Sequence, residues 1–218
     1  MKPLIIFGTG ELADLAHYYF SQSGREVTAF TVDAKYLNSE FRHGLRVLAF
    51  EEVQNLFPPQ THEMFVAIGS SEVNRARAAK CAEARSKGYA LATYISPESI
   101  VRTDQIGDNC IIMDHNNIHP FVRIGNNVIF SNANHIGHHS VIEDNCFITS
   151  NVVVSGGVTV GEGSFLGVNA SLRDHIKIGK YNLIGAGAMI LSDTKDFEVF
   201  SVEATPARRV SSDRIHKL

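Results

Sequence analysis

Five histidines fall between residues 115 and 139: His115, His119, His135, His138 and His139. Imidazole changes charge near neutral pH, so a neutral histidine can take a proton from an amine or hydroxyl as that group attacks a thioester. Two other readings stand beside this one. His135 and His138 are three apart, a metal-ligand spacing, although it suits one face of a helix better than a chain that turns corners. Exposed corner residues with no chemistry are the third. A separate group of residues opens the chain. Gly8-Thr9-Gly10-Glu11-Leu12-Ala13 follows the apolar run Leu4–Phe7, and Asp33 ends the next apolar run. Glycines let a backbone approach a diphosphate, and a helix N-terminus offers it free N–H groups. A carboxylate at the end of the second strand can accept hydrogen bonds from a ribose or a base. The same turn also serves as a tight strand–helix connection with no ligand.

What positions the histidines is a period of six. Isoleucine, valine, leucine or phenylalanine recurs at every sixth position from Ile100 to Ile190. A helix needs apolar residues near every 3.6 positions and a strand near every two, so this period fits neither alone. It fits a parallel β-solenoid of hexapeptide repeats, three to a triangular coil. Residues 18 apart then stack, giving the ladders Ile106-Ile124-Ile142-Val160-Ile178, Ile112-Phe130-Ile148-Leu166-Ile184 and Ile118-Ile136-Val154-Leu172-Ile190. Asn116 and Asn134 share a corner stack with Val152, Ala170 and Ala188. Cys110 and Cys146 share another but lie two coils apart, roughly 9–10 Å and too far to bridge.

The first ninety-odd residues read as strand, helix, strand: Leu4–Phe7, a helix to about Ser21, Glu26–Val32, Met64–Gly69, and a helix over Ala76–Lys87. This order predicts a small parallel α/β (Rossmann-like) domain. It is too short for two mononucleotide-binding halves, so the glycine turn and Asp33 point to a nucleotide diphosphate sugar rather than NAD. The division expected is 1–96 for this domain, 97–195 for the solenoid and 196–218 for a tail. Net charge is −3 with no basic run, which argues against nucleic acid or an anionic membrane surface as partner. Without an apolar leader or an apolar stretch of spanning length, a cytoplasmic protein with no membrane insertion is expected.

The segments His138–Asp144, Ser155–Gly161, Phe165–Ala170 and Ile184–Ala188 together resemble the left-handed β-helix acyltransferases. With the N-terminal α/β domain, the chain is similar to the bacterial sugar acyltransferases, including the N-acetyltransferases of the bacillosamine pathway and the sialic acid O-acetyltransferases. The resemblance implies a homotrimer, a nucleotide-linked sugar on the N-terminal domain, acetyl-CoA in the groove between neighbouring β-helices, and no metal. It assigns the general base to His138. His139 stands where the family has an acidic neighbour, so Glu143 or His135 is left to orient the base. Phe147 stands where a second family histidine meets the thioester, and Glu11 where the bacillosamine enzymes have histidine. Gly8, Thr9, Gly10, Glu11 and Asp33 would hold the sugar nucleotide. Phe147, Gly156, Gly157, Val168 and Ala186 would line the acetyl-CoA site.

This reading predicts acetyl transfer to the amine of a nucleotide-activated deoxyamino sugar. Transfer would be direct, because no serine or cysteine sits in a nucleophile setting. O-acetylation of a sugar hydroxyl and a non-catalytic sugar-nucleotide-binding protein are the alternatives. Gly156 and Gly157 would stack on His138 and His139, leaving open space for a pantetheine arm unless a left-handed turn is what requires glycine. The outward stripe Ile111, Ile129, Phe147, Phe165, Leu183 is apolar throughout, and an intersubunit contact is expected to bury it, the alternative being cover by the N-terminal domain or the C-terminal tail.

Overall fold

The computed structural model describes residues 1–207, 209 and 214. Part of the expected tail, at 208, 210–213 and 215–218, lies outside the described residues. The N-terminal sheet contains β1 (Leu4–Phe7), β2 (Val27–Val32), β3 (Phe41–Arg42), β4 (Leu45–Ala49) and β5 (Glu63–Val66), in the order β3-β4-β2-β1-β5. All pairs are parallel except β3–β4. Helices α1 (Glu11–Gln22), α2 (Val53–Leu56) and α3 (Arg75–Ser86) complete this part. β1 reads as an unbroken apolar run because it is central and buried along its whole length. The β3–β4 hairpin and α2 were not legible in the sequence. Both are short, and their apolar residues show neither period.

From Tyr94 onward two-residue strands build three parallel sheets. The registers step by 18, as in Arg123↔Val141, Ile129↔Phe147 and His135↔Val153. Each ladder described above lines the interior, and most of its members are fully buried. We name the faces by their ladders: the first carries Ile124 and Ile142, the second Phe130 and Ile148, the third Ile136 and Val154. The corner stack also follows from hydrogen bonding. Asn134 Nδ2 donates to Asn116 Oδ1 at 2.9 Å, and Asn134 Oδ1 accepts the Val152 N–H at 2.8 Å. With that last N–H satisfied, valine and alanine complete the corner. The stack runs past residue 195, where Val199–Phe200 pairs with Leu183–Ile184.

Two expectations are corrected here. Ile100 is not an interior rung. It is 54 % exposed, and Val101 pairs with Ile118 in its place. The first coil is one residue short, so the sixfold pattern continues in sequence after the inner register has moved. The apolar stripe is not a free face either. Ile111 and Ile129 are fully buried against Phe20 and Phe65 of the N-terminal part, with Tyr94 of the first solenoid strand paired to Ile111, and Phe147 packs on the same cluster. The N-terminal part covers the lower half of the second face, so that half of the stripe gives no argument for an intersubunit contact.

The coverage ends partway up. Ile129 is fully buried whereas Leu183, in the same stripe, is 36 % exposed. Ile129→Ala should therefore cost about 2–5 kcal/mol in denaturant unfolding. Leu183→Ala should cost about 0.5 kcal/mol or less. Equal losses would mean that the stripe is covered uniformly.

Candidate functional site

His138 sits at the corner between the third and first faces, with its ring exposed. Its Nδ1 lies 3.1 Å from Nδ1 of His139, and the two rings meet at 84°. One of these nitrogens donates and the other accepts. If His138 donates, its Nε2 keeps a free lone pair. His139 takes the corner in a left-handed conformation and packs on Phe121, with 4.7 Å between ring centroids.

The imidazole of His138 lies on Gly156, where an added Cβ would stand 2.8 Å from Cε1 and 2.9 Å from Nε2. Gly157 has φ +69°, and a Cβ there would meet His175 Nδ1 at 2.5 Å. The open space expected beside these glycines is thus filled by the rings of His138 and His175. Gly156 adopts no left-handed turn, so its lack of a side chain serves the ring resting on it.

The other two supporting residues face elsewhere. Glu143 accepts the Glu162 N–H at 2.9 Å and lines a groove on the first face with Arg123 and Asp144. His135 points out of the third face against His119, 4.6 Å away. Partial burial lowers the His135 pKa from its ordinary 6.5, and the neighbouring His119 charge lowers it further. Among the described residues no cluster of three or more histidine, cysteine or acidic side chains is placed to hold a metal.

The structure brings the N-terminal candidates together. Gly8, Thr9, Gly10 and Asp33 line one cavity of about 740 Å³ at the carboxyl ends of β1, β2 and β5. Gly8 has φ +120°, and a Cβ there would lie 2.6 Å from the Ala67 carbonyl, so only glycine fits. Gly10 precedes α1 in an extended conformation and has open space where a Cβ would be. Asp33 is engaged: Lys80 Nζ donates to its Oδ1 at 2.6 Å. Burial pulls the Lys80 pKa down, but its bonds to Asp33 and Glu83 outweigh this and raise it overall.

A second cavity, about 420 Å³, opens between the N-terminal part and the solenoid. It is lined by Gly10, Glu11, Leu12, Ser70, Ser131 and Phe147, among others. Gly10, Ala67 and Gly69 belong to the walls of both cavities. Lys80 and the loop Gly69–Glu72 were missed in the sequence. The available signal was the Gly-Ser-Ser following the apolar run to Ile68, since parallel sheets bind ligands beyond the carboxyl ends of their strands.

The five residues assigned to acetyl-CoA do not share one surface of the chain. Phe147 is on the second face. Val168 and Ala186 are exposed at the corner between the second and third faces, and Gly156 and Gly157 lie at the corner between the third and first. His138, at that last corner, is opposite the second face, where the N-terminal part docks.

Residues 157–192 match the family model of the bacterial transferase hexapeptide (six repeats). A search of curated proteins finds no match. Among solved structures the chain is similar to a histidine-to-asparagine mutant of perosamine N-acetyltransferase from Caulobacter crescentus, in complex with CoA and GDP-perosamine. That likeness has 25% identity and a TM-score of 0.81, and it covers 91% of this chain and 93% of that one. The acetyltransferase domain of PglB from Neisseria gonorrhoeae shares the fold at 22% identity and a TM-score of 0.81, covering 91% and 96%. WeeI from Acinetobacter baumannii does so at 15% identity and 0.80, again covering 91% and 96%. The repeat, the coil and these likenesses define an acyltransferase of the left-handed β-helix class. No helix among the described residues is long and apolar enough to cross a membrane.

The depressed pKa of His135 has a signed consequence. The stabilisation it reports is present above the ordinary value of 6.5 and is lost as pH falls through the lowered folded value. In an NMR titration His135 should therefore titrate below 6.5, and His119→Ala should raise its midpoint. A midpoint at or above 6.5 would contradict the burial argument.

Proposed function

We propose that the chain transfers an acetyl group from acetyl-CoA to the amine of a nucleotide-linked amino sugar, with His138 as general base. The observation that carries this reading is the pair of cavities joined at Gly10, Ala67 and Gly69 in an acyltransferase fold. The larger would take the nucleotide. The α1 N-terminus and the Gly8–Gly10 turn would face the diphosphate, and Asp33, held by Lys80, would face the ribose or base. The smaller would take the sugar. Residues 1–96 would thus bind the acceptor, and the solenoid from 97 to 195 would carry the transfer. The solved complex of the Caulobacter enzyme with CoA and GDP-perosamine supports this choice of donor and acceptor.

His138 acts through Nε2. The hydrogen bond to His139 fixes the Nδ1–H tautomer when His139 accepts, which leaves Nε2 to take the proton as the amine attacks the thioester carbon. An acidic neighbour in the family does this with a charge, and His139 would do it as a neutral acceptor. Gly156 holds the ring from beneath.

The acceptor cavities and His138 lie on opposite sides of one solenoid, so a single chain would leave the base idle. In a cyclic trimer with the third faces turned inward, the His138 corner of one copy would meet the next copy's Val168 and Ala186 corner, beside that copy's acceptor cavities. The scattered acetyl-CoA residues would then border one groove between copies.

Release of CoA thiol with a panel of nucleotide amino sugars tests the activity. Consumption of amine substrates supports the proposal, consumption only of hydroxyl substrates points to O-acetylation, and no consumption refutes both. His138→Ala should lower kcat by about 10²–10⁴ with little change in acceptor affinity. Gly156→Ala should displace the ring and cost on the order of 10² in kcat with an unchanged melting temperature.

A complementation test addresses the assembly. Gly10→Val should fill the acceptor cavity without a clash. Mixed trimers of the Gly10→Val and His138→Ala chains should then recover activity that neither homotrimer has. No recovery on mixing would mean that the site is completed within one chain.

A further inference from the structure

Arg77 is fully buried, and among the described residues no carboxylate forms an ion pair with it. Its guanidinium is instead surrounded by neutral acceptors. Nε donates to Asn127 Oδ1 at 3.0 Å. Nη2 reaches the carbonyls of Asn127, Asn145 and Cys146 at 3.3, 3.1 and 3.2 Å, on two successive coils. Nη1 reaches the carbonyls of Ile68 and Gly69 at 3.3 and 3.0 Å, and Asn74 Oδ1 at 3.1 Å. Burial pulls the pKa down to about 10, which leaves the group charged at neutral pH. One rigid planar fork thus ties the solenoid corner to the loop that follows β5.

That loop has its own cost. Glu72, Val73 and Asn74 all have positive φ, at 54°, 51° and 66°. A β-branched residue such as Val73 is an outlier there. Such conformations persist only where the surroundings over-determine them. Here the loop is held at both ends. Arg77 grips Ile68 and Gly69, and buried Asn74 donates from Nδ2 to the carbonyl of Gly163 at 2.9 Å. Between these ends lie Gly69, Ser70, Ser71 and Glu72, which wall the two cavities assigned above to the acceptor.

We propose that Arg77 is a positioning residue for the acceptor site: with Asn74 it clamps the strained 68–74 wall to the solenoid, and the nucleotide binds only to the clamped form. The inference rests on the functional reading above. It assigns the wall's shape to the solenoid rather than to the α/β sheet that carries it. Lysine cannot replace Arg77, because one ammonium group cannot span both the corner carbonyls and the loop carbonyls.

The test uses the full chain, with UDP, GDP and dTDP as acceptor probes and CoA as the control. Arg77→Lys removes the fork. Asn74→Gly keeps the left-handed backbone but loses the clamp, and so stands in if the first variant does not fold. Calorimetry should show the dissociation constant of the tightest nucleotide rising tenfold or more in each variant. The constant for CoA should change less than twofold. Hydrogen exchange should speed up across residues 68–74 and stay slow in the ladder strands. Unchanged nucleotide affinity in both variants overturns the proposal, as does parallel loss of nucleotide and CoA binding with a fallen melting temperature. A parent chain that binds CoA but none of the nucleotides overturns the functional reading, and this proposal with it.

Discussion

Parallel stacking at a fixed register is the constraint on which the rest depends. In each coil the backbone N–H groups of one layer meet the carbonyls of the next, as Ile129 N–H meets Cys146 O and His135 N–H meets Val152 O. A one-residue slip would break that pairing and turn interior side chains outward. The register departs from 18 only at the two ends of the described stack: the step is 17 at the start, where Val101 replaces Ile100, and 16 where Val199–Phe200 pairs with Leu183–Ile184. Everything proposed for the site inherits this regularity. His138 stands beside Gly156 because the two are 18 apart, and Gly156 can receive the imidazole because it carries no side chain of its own.

The solenoid and its three ladders were legible because burial repeats at a period that no helix or simple strand shares. The corner asparagines were legible for the same reason. What failed was any inference that needed to know what lies outside the coil. The stripe from Ile111 to Leu183 has one composition and two environments, since Phe20 and Phe65 of the N-terminal part pack on only its lower half. Nothing in those five residues tells a docked domain from a neighbouring copy. Gly156 and Gly157 were read as open space because stacking predicts which residues are neighbours but not where a ring at the corner will lie.

On the N-terminal side, the glycine turn and Asp33 were legible as motifs, and the opposing wall was not. Its shape comes from residues distant in sequence. Arg77 is eight and nine positions beyond the carbonyls it holds in the loop, and some fifty to seventy before those it holds in the solenoid. In sequence it is one basic residue in an alanine-rich helix, with the look of a solvated position. Its burial is tolerable because backbone carbonyls and amides substitute for water around the charge. Removing one partner would leave donors or acceptors stranded, so the contact is all or nothing in character.

The grip of Arg77 also fixes a height. It holds Asn127 on the coil that carries His138 and Asn145 on the coil above, so the wall of the acceptor cavity and the histidine corner are set at nearly the same level along the solenoid axis. The solenoid is in this sense a ruler graduated in coils of about 4.8 Å. Adding or deleting 18 residues above Leu166 would lengthen or shorten the ruler without moving either mark. Adding 18 residues between Asn127 and His138 would shift one mark against the other by a whole graduation and with little rotation. The vertical reach between acceptor and base can therefore change only in whole coils, while the chemistry at either end changes by single residues.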